Sequence, residues 1–60
     1  MDLKEEFYKI YNNLPLNLRE EVILVISDEP ITWKVAKLEI DQNTKLSLEI
    51  LEKLSALKII

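Results

Sequence analysis

Apolar residues recur along this 60-residue chain at more than one spacing, and the spacings define its elements. Leu3, Phe7, Ile10 and Leu14 fall three or four positions apart, the period of a helix that lays one face on a core. Asp2 followed by Glu5 is a capping-box pattern that opens this helix. Tyr8 and Tyr11 widen its stripe, and Glu5 with Lys9 makes a favourable i,i+4 pair on the far side. Asn12 and Asn13, which tolerate a left-handed cap, and then Pro15 bring it to an end.

Residues 16–27 carry two patterns at once. Asn17 with Glu20 is a second N-cap signature, and Leu18, Val22, Val25 and Ile26 share a helical face. The run Val22-Ile23-Leu24-Val25-Ile26 is equally a β-branched stretch of the length of a buried strand. The cap signal favours the helix. Residues 31–41 divide in the same way: Ala36, Leu38 and Ile40 alternate with Lys37, Glu39 and Asp41 as in a strand. A helix capped by Thr32 would instead set Ile31, Val35 and Leu38 on one face and Trp33, Ala36 and Ile40 on the other. The segment between, Ser27-Asp28-Glu29-Pro30, is a turn by composition but lacks the Asn-Gly or Asp-Gly pair that marks a tight hairpin.

The last segment runs from Thr44, an N-cap, to about Lys58. Leu46, Leu48, Ile50, Leu51, Leu54 and Leu57 cover an arc of roughly 200°, against the roughly 100° stripe that packs one face on a core. Lys45, Glu49, Glu52 and Lys53 fill the rest. The expected fold is a single domain over residues 1–60, mainly α: a small bundle of three to four short helices completed by self-association. The alternative is α+β, a helix–β-hairpin–helix with strands near 21–27 and 31–41.

Size strengthens the case for assembly. At 7.1 kDa, area scaling removes roughly 6,000 Å² from water on folding. With about 60% of it apolar, burial contributes on the order of 90 kcal/mol at ~25 cal/mol/Å². Ordering the chain at ~1.5 kcal/mol per residue costs about as much, so a lone monomer comes out near zero. A second copy is the remaining source of burial, since the chain has no cysteine for a disulfide. The candidate interface is Trp33, Ala36, Ile40, Leu48, Leu51 and Leu54, from the two-faced segment and the wide arc.

Composition narrows the chemistry. Without glycine there is no phosphate-cradling loop; without cysteine, no thiolate; without histidine, no proton shuttle near neutral pH. Asp41, Asn43 and Glu52 match the first, third and twelfth positions of a calcium loop, but Lys45 and Leu46 occupy the fifth and sixth, where an oxygen ligand and a glycine belong. The adjacent acids Glu5-Glu6, Glu20-Glu21 and Asp28-Glu29 point about 100° apart on a helix and are accounted for by caps and a turn. These features imply no enzyme, no cofactor and no metal.

Net charge is −3, from 8 Lys and Arg against 11 Asp and Glu, a balance unsuited to neutralising phosphates. A helix-turn-helix over 32–40 and 44–58 would join at Asp41-Gln42-Asn43, yet its second helix offers only Lys45 and Ser47 at the leading face, and the one arginine, Arg19, lies elsewhere. The longest apolar run is Val22 to Ile26, far short of a membrane span, and the first residues lack the pattern of a signal peptide. The expected protein is a cytoplasmic, non-catalytic oligomeric interaction module or accessory subunit, a homodimer first and the partner of a second protein otherwise. The alternative reading is a DNA-associated regulator or an antitoxin-like partner.

Overall fold

The computed structural model describes residues 2–60. Helix α1 spans Leu3–Asn12, a single 3-10 turn spans Leu16–Leu18, strands β1 (Val22–Ile26) and β2 (Glu29–Thr32) form an antiparallel hairpin, and helices α2 (Trp33–Asp41) and α3 (Lys45–Ala56) follow. Three helices and a two-stranded hairpin stand closer to the α+β alternative than to an all-helical bundle. The correction is local. Residues 22–26 are a strand, whereas 33–41 are a helix from the residue after Thr32 onward, so the second strand is short and ends where α2 begins.

Long-range hydrogen bonds decide the strand. The first amides of α2 have no partner within their own helix. Trp33 N–H donates to the Glu21 carbonyl at 3.3 Å and Lys34 N–H to the Arg19 carbonyl at 2.9 Å, while Val35 N–H takes the Thr32 hydroxyl at 3.1 Å. A helix starting at Asn17 would turn the carbonyls of Arg19 and Glu21 along its own axis. Committed instead to α2, they leave the chain extended into β1, where Leu24 and Ile26 reach the core and Val22 and Val25 remain outside.

Lacking glycine, the chain makes its sharp reversals with other residues. Ser27 and Asp28 join the strands at φ 51° and 66°, a two-residue connection between the paired Ile26 and Glu29 in which both central residues are left-handed. Asn43 and Lys58 adopt φ 53° and 59° after α2 and α3. Each closes a Schellman motif: Thr44 N–H donates to the Glu39 carbonyl and Asn43 N–H to that of Ile40, and Ile59 N–H donates to the Leu54 carbonyl and Lys58 N–H to that of Ser55. Asn12 lies within α1, and Asn13, expected to be left-handed, instead has φ −98° and donates its side-chain amide to the Lys9 carbonyl. Asp2 and Thr44 cap α1 and α3 as their spacing predicts.

The core gathers Phe7 and Tyr11 of α1, Leu24, Ile26 and Ile31 of the hairpin, Trp33, Ala36 and Ile40 of α2, and Ile50 and Leu54 of α3. Phe7 lies at its centre with no exposed surface, its ring 5.7 Å from Trp33, 5.9 Å from Tyr11 and 5.8 Å from Tyr8, spacings at which aromatic pairs attract. The accessible surface of 4277 Å² is close to the roughly 4,100 Å² that scaling gives for a monomer of this mass. One copy therefore encloses a core of ordinary size, and the apolar excess sits at particular places on the outside.

Candidate interaction surface

The six residues singled out from sequence separate into two groups. Trp33, Ala36, Ile40 and Leu54 are buried in the chain's own core, and Leu51 packs half-buried against it. Leu48 alone of the six is largely outside, 64% exposed. The wide arc of α3 is divided accordingly: Ile50 and Leu54 meet the core, while Leu48 and Leu57 face away. On α2, the Trp33–Ala36–Ile40 face is covered and the opposite face leaves Val35 and Leu38 exposed.

An apolar recess lies elsewhere, along the outer edge of β1. An open groove of about 500 Å³ is bounded on one side by Val22, Ile23, Leu24 and Val25 and on the other by Lys53, Ala56 and Leu57. Alternate strand residues point to opposite faces, so four consecutive ones along a wall mean that the groove follows the strand's backbone edge. Lys53, Ala56 and Leu57 are spaced three and four apart, one face of the end of α3. Among the described residues, β1 has β2 as its one neighbour in the sheet, and none of its backbone groups bonds outside the hairpin.

The two edges of the hairpin are unequal. Glu29 and Pro30 lie in β2, a charge and a residue without an N–H, both of which discourage further strand pairing. β1 carries neither charge nor proline; its register shift between Val22 and Leu24 is its one irregularity. Val25, at 63% exposure, and Leu57, at 61%, stand on either side of the groove. The favoured helix over residues 16–27 hid this surface, and the strand alternative pointed to it: the signal was an uncharged, mostly β-branched run from Val22 to Ile26.

Two polar clusters complete the surface. Tyr8 donates its hydroxyl to Oδ1 of Asp41, whose Oδ2 accepts from Lys37 Nζ at 2.8 Å, and Lys4 Nζ donates to Asn43 Oδ1 at 2.9 Å. The Lys37 ammonium, then the Tyr8 hydroxyl, hold the Asp41 carboxyl below its usual range, and bonding to that carboxylate raises the Tyr8 phenol from 10.0 to about 12. This cluster laces α1 to the end of α2. The segment that matched a calcium loop is mostly α3, with Asp41 engaged by Lys37 and Tyr8, so its positions do not form a loop around an ion.

The second cluster is a cleft of about 230 Å³ lined by Tyr11, Leu16, Arg19, Glu20 and Lys34. The Arg19 guanidinium lies 4.5 Å from the centre of the Tyr11 ring, and Nη2 donates to the Tyr11 carbonyl at 3.3 Å. The turn between α2 and α3 is short, as in a helix-turn-helix, but α3 sets Glu49 and Glu52 against Lys45 and Lys53 and presents no basic face. No described helix is long and apolar enough to cross a membrane. The chain matches no family model, no curated protein and no solved structure.

Proposed function

We propose that the protein is a small, non-catalytic interaction module that works as a homodimer joined along the outer edges of β1. The observation that carries this reading is the uncharged edge strand beside an apolar groove, on a hairpin whose other strand carries Glu29 and Pro30. Two antiparallel copies of β1 related by a two-fold axis would give a continuous four-stranded sheet, and each Val25 would meet the groove wall of the other copy. Each copy carries a net charge of −3, and the groove beside β1 is lined by no acidic residue, so a contact there does not set the carboxylates of one copy against those of the other.

Area sets what must be covered. A stable dimer removes about 800 Å² from each partner. Pairing two five-residue strands is too small a contact for that, so the walls formed by Lys53, Ala56 and Leu57 must be covered with the strand. A DNA-associated regulator is the weaker reading because the charges on α3 balance. The test is amide exchange followed by NMR over a range of protein concentrations. The reading expects the β1 amides that face away from β2 to gain protection as concentration rises; exchange independent of concentration up to the millimolar range would overturn it.

A further inference from the structure

We propose that the cleft between the 3-10 turn and α2 binds a small monocarboxylate with an apolar tail, held by Arg19. Among the described residues the only ion pair is Lys37–Asp41, so Arg19 has no carboxylate partner in a chain with 11 acidic residues. Its Nε is buried and makes no hydrogen bond, and one contact with the Tyr11 carbonyl uses one of its five N–H donors. A part-buried guanidinium in this state holds unused capacity for an anion, and its planar fork matches the two oxygens of a carboxylate.

The position of the guanidinium is fixed before a ligand arrives. Tyr11 supports it from one side, and the Arg19 carbonyl is tied to Lys34 N–H at 2.9 Å, which places the first turn of α2 beside it. Lys34 lines the same cleft and forms no ion pair. Arg19 and Lys34 against Glu20 leave the cleft with one net positive charge, which a single carboxylate neutralises, whereas a phosphate dianion leaves a charge uncompensated and brings no apolar tail. Leu16, largely exposed, supplies apolar surface for the tail. The cleft, about 230 Å³ in volume and open to solvent, admits a short-chain acid such as hexanoate.

The experiment titrates the protein with hexanoate, hexanamide and inorganic phosphate while recording amide shifts by NMR. Hexanoate is expected to shift Tyr11, Leu16, Arg19 and Lys34 and to saturate in the millimolar range, with hexanamide and phosphate at least tenfold weaker. Lys34→Gln, an exposed position, should weaken hexanoate several-fold with the fold intact, and Arg19→Gln should abolish binding. Glu20→Gln should tighten hexanoate and raise the affinity for phosphate. Equal binding of hexanamide and hexanoate, binding unchanged in both Arg19→Gln and Lys34→Gln, or no saturable shift at these four residues would overturn the proposal. The readout does not depend on dimerisation, so it stands or falls apart from the β1 contact.

Discussion

Tyr8 on α1 donates its hydroxyl to Asp41, the last residue of α2 and 33 positions away in the chain. The phenol is thereby favoured in its protonated form and the carboxyl in its ionised form. Raising the folded pKa of Tyr8 from 10.0 to about 12 means that its contribution to stability is complete below pH 10 and fades between pH 10 and about 12. Asp41 has the opposite sign: its folded pKa lies below the ordinary 3.8, so its contribution is present above that value and disappears as pH falls through the lowered one. Ultraviolet titration of the phenolates should find Tyr8 ionising near pH 12 in the native protein and nearer 10 in Asp41→Asn. A Tyr8 that titrates at 10 in both proteins would remove this link between α1 and α2.

The glycine-free reversals give a stability prediction with a favourable sign. Left-handed conformations cost L-residues roughly 1–2 kcal/mol each, and Asp28 and Lys58 both occupy them, at φ 66° and 59°. Asp28→Gly and Lys58→Gly should each stabilise the protein by up to about 1 kcal/mol, part of the relief being offset by the greater freedom of glycine in the unfolded chain. Urea unfolding would measure this. Destabilisation by both substitutions would contradict the left-handed turn and cap.

Position within the α3 arc should divide large effects from small ones. Leu54 is fully buried, and Leu54→Ala should cost about 2–5 kcal/mol. Leu48 is mostly exposed, and Leu48→Ala should stay within about 0.5 kcal/mol. Phe7→Ala, at the meeting point of three aromatic rings, should cost about 3–5 kcal/mol, enough to unfold a chain of this size. Thermal melts of the three variants would show the order; similar losses for Leu48 and Leu54 would mean that the whole arc is covered.

What could be read from the chain depended on whether the deciding interaction was local. Asp2, Thr32 and Thr44 cap their helices through amides two or three residues on; the local pattern announced α1 and α3, while for α2 the Thr32 cap competed with an alternating strand pattern over residues 31–41. The strand β1 depended on carbonyls of residues 19 and 21 reaching the start of α2, which no nearby pattern encodes. The hairpin turn was also concealed, because Ser27 and Asp28 stand where Asn-Gly would have signalled it. The apolar excess was legible as a quantity but not as a place. Trp33, Ala36, Ile40 and Leu54 turn inward around Phe7, while the open surface arises at β1, read as helix. The Arg19 cleft had no sequence signal beyond the presence of a single arginine, since Tyr11, Leu16 and Lys34 meet it only in the fold.

Dimerisation along the outer edge of β1 is tested most directly by sedimentation velocity at concentrations from micromolar to millimolar. The native chain should approach twice its 7.1 kDa mass as concentration rises, whereas Val25→Lys, placing a charge on an exposed β1 position, should remain near 7.1 kDa with an unchanged circular dichroism spectrum. Leu57→Glu, across the groove, should behave in the same way. A native chain that stays at 7.1 kDa throughout, or a dimer that both variants leave intact, would contradict the account.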